Sequence, residues 1–242
     1  MKLQTTSSSY DNKRGKVKDY FDITAADTWA KLTSDAPVSK IRATVRAGRD
    51  RMRATLLSWL PDDLSGTRLL DAGCGTGALA LEAAKRGAHV VAVDLSPTLV
   101  NLARERLPAG FHAGQSKGGC VEFHAGDLLD ASFGEFDYVV SMDCLIHYNA
   151  ADAVSVLSKL AQRTKRSMIF TYAPSSPALM MMWTVGKMFP RKDRSPSIEP
   201  VRESDIKTLF QYDPVLTHWH AGRTERIKSG FYTSQALELK KQ

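Results

Sequence analysis

The segment Asp71-Ala-Gly73-Cys-Gly75-Thr-Gly77 constrains this chain most, because it leads from a short strand pattern at 68–71 directly into a helical pattern at 78–86. Glycine is needed where backbone takes positive φ or passes close to a ligand, so three alternate glycines after a strand build a turn that a ligand can approach. Around this loop the periodicity alternates. Strands are expected at 68–71, 89–94, 121–124, 138–142 and 167–172, with helices at 78–86, 97–107 and 152–163 between them. A further helix is expected near 203–211, then strands near 215–221 and 230–239. Apolar strands separated by helices indicate an α/β protein with a mostly parallel sheet covered on both faces.

The loop is of nucleotide-binding type, but its spacing departs from Gly-x-Gly-x-x-Gly, and no Gly-Lys-Ser/Thr follows to hold a triphosphate. Asp71 at its mouth would repel a phosphate and could accept a hydrogen bond from an ammonium group, which favours a cationic nucleoside carrying an amino acid. Asp94 ends the second strand 23 residues on, where its two oxygens suit the ribose hydroxyls, with Leu95 beside the base. Asp127 and Leu128 follow the third strand and suit the adenine amino group and ring nitrogen. Taken singly, Asp94 could instead cap the helix after Ser96-Pro97, and Asp127 could be a turn residue. His89 and His124 alternate with strand apolars and receive no role. Cys74, inside the loop, has no neighbouring base to make it a nucleophile. The three acids with the glycine loop resemble the class I S-adenosylmethionine-dependent methyltransferases over roughly 67–172. That resemblance implies a Rossmann-like, mostly parallel seven-stranded sheet with helices on both faces. The cofactor-binding set is then Asp71, Ala72, Gly73, Gly75, Gly77, Asp94, Leu95, Asp127, Leu128 and Met142.

The 242 residues suit one large domain, and the formal charge of +7 favours an anionic ligand, a nucleic acid or an anionic membrane without choosing among them. Cys74, Cys120 and Cys144 are an odd, scattered set that fits a reducing, cytoplasmic setting, and no export signal is legible at 1–18. Residues 1–18 read as a polar, flexible leader, 19–60 as an N-terminal arm of cap helices, and 61–242 as the catalytic domain, with a Met-rich lid-like insert at 178–200. The helix over 40–60 carries Arg42, Arg46, Arg49 and Arg53 on one stripe. Arg46 is the candidate for the cofactor's methionine carboxylate, with a solvated surface arginine as the competing reading.

Where base-amine methyltransferases carry an Asn/Asp-Pro-Pro-aromatic segment after the fourth strand, this chain has Ser141-Met142-Asp143-Cys144, which argues against nucleic acid. The apolar insert beside Arg191, Lys192 and Arg194 suits a flat, greasy molecule bearing carboxylates. Several segments resemble the magnesium-protoporphyrin IX O-methyltransferases, purple-bacterial type. They are Tyr20-Phe21 with Trp29, Val45-Arg46-Ala47-Gly48-Arg49, Asp71–Gly77, Met142-Asp143-Cys144-Leu145-Ile146-His147-Tyr148, Phe189-Pro190 with Arg194-Ser195-Pro196, and Gly230-Phe231-Tyr232. The resemblance implies methyl transfer from S-adenosylmethionine to one propionate of magnesium protoporphyrin IX in (bacterio)chlorophyll synthesis. It also implies that Tyr20 and His147 handle the acceptor, and that Trp29, Met181, Trp183 and Arg191 contact it. Magnesium then belongs to the substrate, and no protein-bound metal is expected. The magnesium chelatase large subunit and the photosynthetic membrane surface are expected contacts, and nucleic acid is not. Two other readings remain at this level: a class I enzyme methylating another lipophilic acceptor such as a quinone-precursor phenol, with His147 as base, and a non-catalytic porphyrin-binding module.

Overall fold

A computed structural model of the chain describes residues 6–24, 26–34, 36–114, 118–175 and 198–242. The lid expected over 178–200, with Met181, Trp183 and Arg191, lies outside these residues except for its last three. The parallel strands are β1 (Arg68–Ala72), β2 (His89–Asp94), β3 (Cys120–Ala125), β4 (Phe136–Ser141) and β5 (Thr164–Tyr172). A final antiparallel hairpin, β6 (Trp219–Ser229) and β7 (Tyr232–Lys241), completes a seven-stranded sheet of order β3-β2-β1-β4-β5-β7-β6. Helices α3 (Lys40–Ser58), α4 (Ala78–Lys85) and α5 (Pro97–Arg106) cover one face, and α6 (Ala150–Ala161) and α7 (Glu203–Tyr212) cover the other.

Both faces are sealed by apolar side chains. Met52, Leu56, Leu79 and Val100 pack with Leu69 and Ile169 on one side, while Leu157, Leu160, Ile206 and Phe210 pack with Leu70 and Phe170 on the other. Burying each large side chain stabilises by about 1.5–3 kcal/mol, so the central strands must be apolar on both faces, as their sequences are. Because α3 contributes Met52 and Leu56 to this core, it belongs to the sheet's own layer although the sequence groups it with the arm. Local chemistry sets the helix starts. Ser96 accepts from the Leu99 N–H ahead of α5 with Pro97 in the first turn, and Asn149 accepts from the Asp152 N–H, so α6 begins two residues before the expected 152.

Two expectations are corrected. Residues 1–18 do not form a flexible leader throughout: Thr6–Asp19 is a helix, α1, followed by a π-helical turn at Tyr20–Thr24 and by α2 (Ala26–Leu32). The polar α1 is held from outside itself, by the Tyr10 ring stacked on Tyr148 at 5.2 Å and by the ion pairs Lys13–Glu199 and Arg14–Asp127. The strand expected at 215–221 starts later. Asp213 accepts from the N–H groups of Val215 and Leu216, which winds Leu216–His218 into a 3-10 turn and delays β6 to Trp219.

Candidate functional site

The strand order reverses between β1 and β4, and ligands of open α/β sheets bind outside the carboxyl ends of the strands at such a point. A cavity opens there, lined by the glycine loop, by Asp94, Leu95, Asp127 and Leu128, by Met142–Cys144, by Phe21 and Trp29 of the arm, and by Arg46 and Arg49 of α3.

The loop is fixed by the N–H groups of Gly73 and Cys74, which donate to the Val93 carbonyl at 2.8 and 3.0 Å. Gly73 lies at φ +84°, and a Cβ there would sit 2.5 Å from the Cys144 Cβ, so only glycine lets the loop pass under the β4 connection. A Cβ on Gly77 would likewise meet the Phe123 ring of β3 at 2.6 Å, so close packing against the sheet also requires glycine there. Ala72 is fully buried in β1. Of the expected cofactor residues, these two alone do not line the cavity.

Asp71 is 1% exposed, and its Oδ2 has no hydrogen-bond partner among the described residues. Burial, with Asp94 nearby adding repulsion, pushes its carboxyl up to about 7. A buried, unsatisfied carboxylate oxygen calls for a cation or a strong donor, so this site fits the ammonium-bearing end of S-adenosylmethionine. Asp94 accepts from the Gly75 N–H at 2.8 Å through Oδ2 and from the Ser96 N–H at 3.0 Å through Oδ1. Burial raises it above the usual carboxylate range, and those N–H groups oppose the rise. Ser96, not Asp94, caps α5, which removes the capping alternative. The Ser96 hydroxyl and Thr98 N–H in turn donate to Asp22, docking the arm onto the Asp94 side of the cavity. Asp127 accepts from the Leu129 N–H at 2.9 Å, as a turn residue does, and it also meets Tyr10 and Arg14 of α1. Burial pushes the Cys74 thiol well above its ordinary range and the Cys144 thiol up to about 12, so both are poor nucleophiles.

The opposite wall is aromatic. Phe21 lies edge-on to Trp29 at 5.4 Å and to His147 at 6.0 Å, while Tyr20 packs on the outer side of Phe21 at 5.2 Å. His147, 6% exposed in the Leu145–His147 turn, and Trp29 line the cavity, whereas half-buried Tyr20 stands one ring behind.

Arg46, the candidate for the methionine carboxylate, lines the cavity and is also tied to backbone carbonyls. Its guanidinium donates to the carbonyls of Lys31, Leu32 and Ala36 at 2.8–3.0 Å, satisfying the C-terminal end of α2. The guanidinium one turn later, Arg49, instead reaches Asp143 at 2.6 Å and stacks 4.4 Å from the Trp29 ring centroid. Asp143, Arg49, Phe21, Tyr10 and Arg14 were not singled out individually by sequence reasoning. Only Asp143 carried a usable local signal, an acid immediately after the fourth strand.

Comparison with known proteins agrees with this geometry. A family model described as magnesium-protoporphyrin IX methyltransferase C-terminus matches residues 141–241, and a methyltransferase domain model matches 69–167. A magnesium-protoporphyrin O-methyltransferase from Rhodobacter capsulatus is 47% identical over 96% of this chain and 99% of its own length. The crystal structure of magnesium protoporphyrin IX methyltransferase from Synechocystis with bound SAH superposes with a TM-score of 0.80, at 28% identity, covering 95% of this chain and all of that one. A ubiquinone biosynthesis O-methyltransferase from Hahella chejuensis is 33% identical over 66% of this chain and 72% of its own length.

Proposed function

The chain belongs to the magnesium-protoporphyrin O-methyltransferase family, and from that membership we propose that it methylates a propionate carboxylate of magnesium protoporphyrin IX. The methyl donor is S-adenosylmethionine, which supplies an electrophilic methyl group on a sulfonium centre. One juxtaposition carries the reading: an unpartnered buried carboxylate oxygen on Asp71 faces the same cavity as the aromatic wall of Phe21, Trp29 and His147 and the Arg49 guanidinium. The acid suits a cationic cofactor, and the flat apolar wall with a guanidinium suits a planar acceptor with acidic arms.

A propionate has a pKa near the ~4.3 of a glutamate side chain and is ionised at neutral pH. Its oxygen attacks the methyl carbon in line, the carbon–sulfur bond breaks, and the electron pair stays on sulfur, giving the methyl ester and S-adenosylhomocysteine. No proton has to be removed. The protein's contribution is therefore alignment, worth up to about 7–11 kcal/mol when reactants are held near attack geometry, together with exclusion of water. In this reading Asp71 holds the ammonium, Asp94 the ribose, and Asp127 and Leu128 the adenine. His147 and Phe21 orient the acceptor, with Tyr20 buttressing Phe21. Asp127 must share its carboxylate with Arg14 to do so.

The same reading places the protein in the cytoplasm against an anionic membrane. No helix of the described residues is long and apolar enough to cross a membrane, but Ile41 on α3 and Phe231 in the β6–β7 turn are both exposed beside Lys40, Arg42 and Lys228. A greasy pigment favours direct handover, for which the large subunit of magnesium chelatase is the proposed donor. Incubation with S-adenosylmethionine and magnesium protoporphyrin IX tests the central part. The expected product is heavier by one methyl in place of one proton, and is returned to the acid by ester hydrolysis. Methylation of a phenolic quinone precursor with the pigment left untouched would overturn it.

A further inference from the structure

Asp143 is the only non-glycine residue with positive φ (+53°) among the described residues, and its side chain is 4% exposed. A buried carboxylate in a disfavoured backbone conformation persists only where its surroundings over-determine it. Here they do. Its carboxylate accepts from the Tyr232 hydroxyl at 3.0 Å, the Ser234 hydroxyl at 3.2 Å and Arg49 Nη1 at 2.6 Å, and its N–H donates to Thr171 Oγ1 at 2.7 Å. Gly48 presses α3 against the same group: a Cβ there would lie 2.5 Å from the Tyr232 ring, so its absence lets Arg49 come down to Asp143.

Arg49 makes no further hydrogen bond among the described residues, and it lines the cavity. Resting this step on the proposed function, we propose that Asp143 is a positioning residue that holds Arg49 over Trp29 to receive a carboxylate of the porphyrin. Strand order favours the acceptor over the cofactor as the source of that carboxylate, although Trp29 itself lies against Gly75 of the glycine loop. Asp71 and Asp94 lie at the C-terminal ends of β1 and β2 and Asp127 follows β3, so in the proposed function the cofactor runs toward one end of the sheet. The anchors of Arg49 belong to the other half: Asp143 follows β4, Thr171 is on β5, and Tyr232 and Ser234 are on β7. A guanidinium stacked on an indole offers a flat cationic surface with in-plane donors, which suits an acidic arm of a planar ring.

The test uses the full-length protein saturated with S-adenosylhomocysteine. Pigment affinity is read by fluorescence quenching, cofactor affinity by calorimetry, and kcat and KM by turnover with S-adenosylmethionine. Arg49→Gln should weaken pigment binding and raise KM by about 10–100-fold, the range for a lost charge-assisted hydrogen bond, with cofactor Kd within about twofold. Arg49→Lys should recover part of the loss. Tyr232→Phe, which keeps the ring and removes a donor to Asp143, should raise KM several-fold in the same direction. Weakened cofactor binding with pigment affinity unchanged would overturn the proposal, as would no change in either. Pigment binding without turnover in the unaltered protein would defeat the proposed function while leaving this inference to be read on the quenching curve. No pigment binding at all would defeat both.

Discussion

The two halves of the cavity are built by opposite strategies. On the β1–β3 side each cavity-lining acid sits on a strand end or in the loop after it, so a few consecutive residues fix it. Gly75 and Ser96 N–H groups aim Asp94, and Gly73 folds the loop that exposes Asp71. On the β4–β7 side nothing is local. Arg49 reaches Asp143, 94 residues away, which reaches Tyr232 and Ser234 about 90 residues further on. In the proposed function the first half holds the cofactor and the second the acceptor, so damage to one half should leave the other working.

Asp71→Asn offers the hardest blow to the first half. It removes the charge but not the shape, so S-adenosylmethionine Kd should rise about 10–100-fold, the range for a lost charge-assisted hydrogen bond of about 1.5–3 kcal/mol, with pigment affinity unchanged. His147→Ala strikes the second half. Loss of a buried orienting ring should lower kcat at least about tenfold while calorimetry finds the cofactor Kd within about twofold, and a collapse of cofactor affinity would erase the distinction. A gentler probe is pH. In the cofactor-free protein the Asp71 carboxyl is pushed up to about 7, and a bound ammonium favours the ionised form. Below that pH the carboxyl must give up a proton on binding. Affinity should therefore fall with acidity, by at most tenfold per pH unit, and level off above about 7; Asp71→Asn should flatten the curve. The smallest effect belongs to Arg46→Ala. Three of its five N–H donors hold the carbonyls of Lys31, Leu32 and Ala36, so about 1–2 kcal/mol of stability should be lost in a denaturant titration, with cofactor Kd unchanged; a raised Kd would give Arg46 the methionine carboxylate.

The same contrast explains what could be read in the sequence. That the glycine loop, Asp71, Asp94, Leu95, Asp127 and Leu128 line one cavity was legible because strand, loop and cavity wall lie within a few residues of one another. The strand alternation likewise gave the sheet, and both faces are apolar where expected. Arg46 and Arg49 were not separable, since both lie on one helical stripe. Which guanidinium meets carbonyls and which meets a carboxylate depends on where α2 and β7 dock. Helix α1 was missed for a related reason. Its sequence is polar, Val17 is its buried apolar anchor, and its partners Asp127, Tyr148 and Glu199 are more than a hundred residues away. Tyr20 was singled out from the aromatic arm, but the ring that reaches His147 is that of Phe21.

A carboxylate acceptor that needs alignment and no general base is the central claim, and the pH dependence of kcat on magnesium protoporphyrin IX, with cofactor and pigment both saturating, tests it most directly. Saturation removes the Asp71 titration from the rate, so kcat should stay level from about pH 6 to 9, well above the pKa of a propionate. A limb that rises with pH and disappears in His147→Ala would contradict the claim and make His147 a proton acceptor.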